Sequence, residues 1–404
     1  MINVSSKFLL VPGLLLATGP LPAQDSEGFL LDPVFKLRPR YEAVDDGNDA
    51  SDNASALTTR TTLGMGVRKS GMDNLRGYFE ATHVAALVRD YNSTSSSAGN
   101  AHTEYAAVLD PPMTRVTQGY LTWKAGEHEF TAGRRLLALD NHRFIGTVGW
   151  RQMPQSFSLV EAKFRFTPAI SLQLDYLYER LGIKDELNKR YEKGPRLLHA
   201  VWKPAEGHSL SLFVYQITNL HDTMGLRYTG AAGPATYGMT YATQGKASIE
   251  EDDVTAPEAD SSFYDVDLGF KFNPFSIGLN YHVLGEAKGD AASGFSTPFA
   301  TLHKWEGWSD VLLSKAAGGD PLGLKAASVN LGWNGGQAGK FNVIYHKFDS
   351  VEDSLDYGSE VDFVYKYVID DKNSVVLKGA QYSKSDDLGN NDVSKYWLMT
   401  SHSL

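Results

Sequence analysis

The sequence predicts an all-β fold, a transmembrane antiparallel barrel of about 18 strands, on three observations. Apolar and polar residues alternate with a period of two over runs of about ten residues, which is the strand signature and not the helical one. The connections between these runs alternate between short and long, as in outer-membrane barrels with short periplasmic turns and longer extracellular loops. Beyond the N-terminal segment no run of 18 apolar residues occurs, so any membrane crossing would be made by strands.

The alternation is clearest in Phe263–Phe272. There Tyr264, Val266, Leu268, Phe270 and Phe272 share one face, and Asp265, Asp267, Gly269 and Lys271 the other. After the tight Asn273-Pro274 turn, Phe275, Ile277, Leu279, Tyr281 and Val283 alternate with Ser276, Gly278, Asn280 and His282. Ile170–Glu179 and Val361–Tyr367 repeat the pattern. Candidate strands lie near 34–42, 57–69, 74–88, 115–124, 128–134, 157–167, 169–180, 194–203, 208–219, 222–230, 235–246, 261–272, 275–286, 322–334, 339–349, 357–369, 373–384 and 393–403. That is an even number, so both termini fall on one side of a closed barrel. Long connections at 43–56, 89–114, 135–156, 181–193, 247–260 and 287–321 alternate with turns such as Lys69–Asp73 and Asp370–Lys372. Asn219–His221 is the one short connection on the long-loop side.

Composition narrows the function classes. The chain has 404 residues, yet no linker divides it, and barrels run long as single domains. Residues 1–23 read as a signal peptide: Lys7, the apolar run Phe8–Ala17, then Leu21-Pro22-Ala23. Residues 24–404 then form the barrel, placed by this reading in the outer membrane of a Gram-negative cell. Cysteine is absent, so strand pairing and packing must hold the fold without disulfides. The net charge of −10 argues against nucleic acid as a partner. Aromatics make up 11%, which suits interfacial girdles.

If apolar faces meet lipid, the opposite faces line the lumen. Strand 34–42 then turns Lys36, Arg38, Arg40 and Glu42 inward. Neighbouring strands add Arg60, Arg68, Arg76, Glu80, Glu161, Lys163 and Arg165. Lys36, Arg38, Arg40, Arg60, Arg76, Lys163 and Arg165 form a candidate basic patch for an anionic solute, because a guanidinium is always charged and grips carboxylate through a planar fork. A wide lumen filled with balanced charge is the competing reading, since Glu42, Glu80 and Glu161 lie close by.

One stretch breaks the strand pattern. Gly133–Gln152, reading GRRLLALDNHRFIGTVGWRQ, is too long and turn-rich for a strand and too aromatic and arginine-rich for a slack linker. It predicts a loop folded into or over the lumen. Together with Gln155 and Phe157 it resembles the signature loop of the alginate-export family of outer-membrane barrels, which includes porin-like members. Thr236–Gln244 (TYGMTYATQ) and Phe295–Asp310 (FSTPFATLHKWEGWSD) resemble the same family, and the similarity runs from about residue 34 to the C-terminus. The resemblance implies an 18-stranded barrel with a basic lumen narrowed by infolded loops, passing an anionic polyuronate. It implies that Arg134, Asp140, Asn141, Arg143, Trp150 and Arg151 belong to the infolded loop.

Enzyme signatures are missing: there is no GxSxG elbow, His128-Glu129 lacks the second His of HExxH, and Gly335–Lys340 lacks the spacing of a phosphate loop. No cofactor or metal is called for. His83, His199 and His346 fall within strands and read as wall residues. The acidic stretches Asp45–Asp52 and Glu250–Asp260 do not have EF-hand spacing and read as solvated loops, with shared divalent cations on lipid headgroups as the other reading. The expected partners are outer-membrane lipid, lipopolysaccharide, and an anionic sugar polymer or small anion. An exporter would add periplasmic partners. The function read here is passive diffusion of alginate-like polymer or small anions. The alternatives are a general or nutrient-uptake porin, a barrel enzyme, and a structural barrel.

Overall fold

The computed structural model describes residues 28–404, so the signal-like segment 1–23 lies outside the described residues. Eighteen strands close one antiparallel barrel. They are β1 (Phe29–Asp45), β2 (Ala54–Lys69), β3 (Met72–Asp90), β4 (Met113–Ala125), β5 (His128–Arg135), β6 (Ser156–Thr167), β7 (Ile170–Leu181), β8 (Arg196–Trp202) and β9 (Ser209–Ile217). Then follow β10 (His221–Ala232), β11 (Ala235–Lys246), β12 (Asp260–Phe272), β13 (Phe275–Leu284), β14 (Leu324–Asn334), β15 (Lys340–Asp349), β16 (Asp356–Val368), β17 (Asn373–Ser383) and β18 (Val393–Ser403). A two-residue ladder, Lys189–Arg190, pairs on β7 from the loop that follows it.

Each strand pairs with its neighbour in sequence, and β1 meets β18 from Lys36↔Ser403 to Asp45↔Ser394. Closure leaves no edge strand, so the wall's backbone polar groups pair from strand to strand around the whole cylinder, as a span through hydrocarbon demands. All eighteen sequence-predicted strands are present, including those at 128–135 and 221–232, with ends that differ by a few residues. The connection parity holds throughout. Even the short Thr218–Leu220 link falls on the long-loop end.

The ladder registers sort side chains into two shells. Outward positions carry exposed apolar groups such as Leu63, Phe79, Leu121, Leu268 and Leu331. Tyr241, Tyr264, Tyr281, Tyr345 and Tyr396 stand exposed toward the long-loop end, and Trp123, Phe166, Trp202, Phe270, Phe272 and Phe275 toward the short-turn end. These are the two aromatic girdles of a membrane barrel.

The core, by contrast, is inside the cylinder. Leu137, Leu139 and Ile145 of the 136–155 loop, Phe295, Phe299 and Leu312 of the 285–323 loop, and the inward Phe213, Phe263 and Phe348 form one buried apolar cluster. The barrel's long-loop half is therefore packed like a small globular domain, while its outer wall stays greasy.

Candidate lumen constriction

Glycine sets where the loop begins. At Gly133 the backbone has φ +128°, and a Cβ there would lie 2.3 Å from the Gly119 carbonyl oxygen. Only glycine lets β5 approach β4 so closely. Arg134 follows on the outward face of β5, where it binds Glu179 at 2.8 Å and donates to Ser158 Oγ at 3.2 Å. This corrects its assignment to the infolded loop: the strand runs through Arg135, and its alternation turns residue 134 away from the lumen.

The loop proper, 136–155, turns back on three non-glycine residues in the left-handed region, Asp140, His142 and Val148. Each costs energy and persists only where neighbours fix it. Val148 N–H donates to Thr301 Oγ1 at 3.1 Å. Asp140 accepts from Ser211 Oγ at 2.8 Å and meets His199 Nε2 at 2.9 Å. Burial would raise the Asp140 pKa, but His199 and Ser211 outweigh it and hold the carboxyl below its usual range.

The second long loop, 285–323, lies against the first. Gly146 N–H donates to the Phe299 carbonyl at 2.9 Å, and Thr301 N–H to the His142 carbonyl at 3.0 Å. Gln155 Nε2 reaches both Gly146 O at 2.7 Å and Phe299 O at 3.0 Å. A Cβ on Gly146 would come within 2.3 Å of Thr301 Oγ1, so this contact too needs glycine. Gln244 on β11 docks the second loop by reciprocal bonds to Ser296, at 2.9 and 2.8 Å.

Buried ion pairs lock both loops to the wall. Arg143 sits between Asp265 of β12 and Glu306 of the second loop, at 3.1 Å from each, with its guanidinium 4.0 Å from the Trp305 ring. His282 of β13 meets the other Glu306 oxygen at 3.0 Å. Burial pushes the Glu306 carboxyl up, yet His282 and Arg143 bring it below its ordinary value. Arg151 pairs with Asp310, and Lys395 of β18 reaches the same carboxylate at 3.1 Å. Against burial, these cations and His303 hold Asp310 well below the carboxylate range.

Trp150 is enclosed by aromatic and cationic groups. His303 stacks on it at 5.4 Å and 6°, Trp397 meets it edge-on at 5.7 Å, and Lys378 Nζ lies 3.9 Å from its ring. Lys378 Nζ is also 3.6 Å from the Trp308 ring and 2.6 Å from His303 Nε2. Burial first, then the Lys378 charge, drives the His303 pKa down to about 3, so the ring is neutral. Asn141 contributes backbone: its carbonyl accepts from Lys304 Nζ at 3.1 Å.

The predicted basic patch divides into two sets with different work. Arg38 donates to the Gly149, Trp150 and Arg151 carbonyls and to Gln152 Oε1, at 2.5–3.1 Å. Arg40 pairs with Asp110 and donates to the Trp150 carbonyl at 2.6 Å. Both are buried, so they anchor the loop instead of facing solute. Lys36 binds Glu80 at 3.5 Å and Lys163 binds Glu161 at 3.1 Å, yet 47% and 38% of their side-chain surfaces remain open. Arg60 faces Arg38 across the β1–β2 ladder with no carboxylate within 4.0 Å among the described residues. Arg76 and Arg165 are exposed and likewise unpaired among the described residues. Near the short-turn end a cavity of about 500 Å³ is lined by Arg68, Arg76, Lys124 and Arg135 against Asp32 and Glu129.

Sequence reasoning missed Asp110, Asp265, Glu306, Asp310, His303 and Lys378. Glu306 and Asp310 do lie in the Phe295–Asp310 segment singled out above. Their arginine partners, Arg143 and Arg151, are 163 and 159 residues away in the chain, and only the folding-in of the two loops brings them together. His199 and His346 are inward wall residues, beside Asp140 and Asp362, and His83 is outward, 2.7 Å from Thr114 Oγ1.

No protein-family model matches the chain, and no curated protein matches it. The resemblance to the alginate-export family thus has no family match behind it. Solved structures do match. The outer membrane protein OpdK of Pseudomonas aeruginosa shares 14% identity with a TM-score of 0.70, over 93% of this chain and 98% of that one. Pseudomonas aeruginosa OccK8 (OprE) gives 14%, 0.67, 93% and 98%. Acinetobacter baumannii OccAB4 gives 12%, 0.67, 95% and 100%. At these identities the likeness is one of fold: over nearly its whole length, this chain has the closed barrel architecture of those proteins.

Proposed function

We propose that the chain is an outer-membrane diffusion channel for small anionic solutes, of the general or nutrient-uptake kind and not dedicated to alginate. One observation carries the reading. Two long loops narrow the lumen from the long-loop end, while Arg60, Arg76 and Arg165, which have no carboxylate partner among the described residues, and the open faces of the paired Lys36 and Lys163 line the wall below them. Fixed charge at a narrow point favours ions of the opposite sign. The guanidiniums stay charged at any physiological pH and can hold a carboxylate by two parallel bonds. No bond is made or broken; size exclusion and electrostatics do the work.

Passage of an alginate-like polyuronate is the second reading. Its support is the resemblance at Gly133–Gln152, Thr236–Gln244 and Phe295–Asp310. Those same segments are tied together by buried ion pairs and backbone hydrogen bonds, and a polymer needs them parted. Liposome swelling decides between the two. Small carboxylates and uronate monomers are expected to enter, with rates falling steeply for longer uronate oligomers. Equal rates for oligomers would favour the polymer channel. No swelling, even after residues 136–155 are deleted, would point to a structural barrel, and ester hydrolysis by purified protein to an enzyme.

A further inference from the structure

The outside of the barrel carries a feature that channel function does not use. The β4–β8 ladders place Leu121, Trp123, Ala132, Ala162, Leu174 and Leu198 on the outward face. Ala132 and Ala162 are diagonal neighbours across the β5–β6 ladder, where Phe130 pairs with Ala162 and Ala132 with Val160. Their methyl groups leave a trough between the Leu121–Trp123 ridge and the Leu174–Leu198 ridge. It measures about 850 Å³ and is lined almost wholly by carbon. That lies within the usual range of ligand-sized pockets, roughly 300–1,000 Å³.

The trough has a charged mouth. Arg196 closes it at the long-loop end, outward-facing by its pairing with Tyr176 and Gln216. Its guanidinium is exposed and has no ion pair or side-chain hydrogen bond among the described residues. Arg190, also exposed and unpaired there, lies opposite Glu179 on β7. Glu179 is already taken by Arg134 at 2.8 Å. This rim therefore holds Arg196, Arg190 and Arg134 against Glu179 beside an apolar slot at the long-loop end, with Asp222 two strands from Arg196 and bonded to Gln216.

We infer that this face is a specific binding site for an acylated lipid bearing phosphate monoesters, its acyl chain in the Ala132–Ala162 trough and a phosphate on Arg196 and Arg190. Charge complementarity selects the headgroup: two unsatisfied forks favour a dianionic phosphate over a zwitterion or a single negative charge. The leaflet selects the source, because the long-loop side of an outer-membrane barrel meets phosphorylated glycolipid. The inference rests on the membrane-barrel reading.

The test is native mass spectrometry of the purified full-length barrel in detergent, titrated with hexa-acyl bisphosphoryl lipid A, its monophosphoryl form and phosphatidylethanolamine. One bisphosphoryl lipid A is expected to be retained per barrel, and the other two less well. Replacing both arginines (R190Q with R196Q) should weaken retention roughly tenfold or more, as the loss of charge-assisted bonds implies. Filling the trough with A162F should also weaken it, with both arginines intact. Equal retention of all three lipids, or retention unchanged by either variant, overturns the inference. Heat-dependent gel mobility of each variant reports separately whether the chain is a membrane barrel, so failure of that reading is distinguishable from failure of this one.

Discussion

Replacing Arg143 with Ala should unlock the constriction. In the folded chain its guanidinium answers two carboxylates, Asp265 with 0% and Glu306 with 1% of side-chain surface exposed. Removing one partner of a buried pair costs about 3–5 kcal/mol, because the remaining charges stay buried without compensation. Here the lower end applies: Asp265 keeps Asn280 at 2.8 Å and Arg227 at 3.4 Å, and Glu306 keeps His282 at 3.0 Å. A loss of about 3 kcal/mol shifts loop docking roughly 150-fold toward the released state. The barrel wall, held by backbone ladders, should persist. Single-channel recordings of R143A should therefore show larger, flickering conductance levels, and limited proteolysis should cut within 136–155 while the heat-dependent gel shift is kept. A triple variant that also neutralises the acids (R143M with D265N and E306Q) should recover much of the quiet state, since no buried charge is left alone. If R143A conducts and resists protease like the parent, the ion-pair lock is not what holds the loop.

Gly146→Ala should force the two infolded loops apart at Thr301, and the same protease assay should show faster cleavage with the barrel intact. Acid should loosen the constriction. His303 is held neutral with a pKa of about 3, so a released loop takes up a proton that the docked loop refuses. The docked state is then fully favoured above the ordinary histidine value near 6.5 and loses ground as pH falls from there toward 3. The depressed carboxyls of Glu306 and Asp310 act in the same direction, losing their stabilisation as pH drops through the acid range. Channel noise recorded from pH 7 to pH 4 should rise monotonically; a flat or falling trend would remove these groups from the lock. Neutralising Arg76 and Arg165 together should lower anion preference with little change in gating, whereas R38Q with R40Q should change gating more than preference, which reversal potentials and open-level noise separate.

The barrel was legible because its rule is local. Period-two alternation in Phe263–Phe272 or Ile170–Glu179 marks a wall with lipid on one side, and the short–long parity of the connections orders the strands. The inward faces were legible by the same parity, and they put Lys36, Arg38, Arg40 and Arg60 in the lumen. What each cation does there was not. Arg38 and Arg40 sit two and four residues from Lys36 in the same pattern, yet they are consumed by the Gly149–Arg151 backbone, the Gln152 side chain and Asp110, more than 60 residues distant. Arg134 failed for a different reason: the strand at 128–134 already contained it, and only the resemblance moved it into the loop, against an alternation that turns it toward lipid. The Trp150–His303–Lys378 stack joins three distant segments, and no spacing in the chain announces it.

We propose that the lumen below the infolded loops carries net positive potential. A purified barrel in a planar bilayer, held across a tenfold KCl gradient, measures this most directly. The reversal potential should have the sign of chloride preference and should shrink as salt is raised and screening grows. A cation-selective potential at every salt concentration would contradict the account.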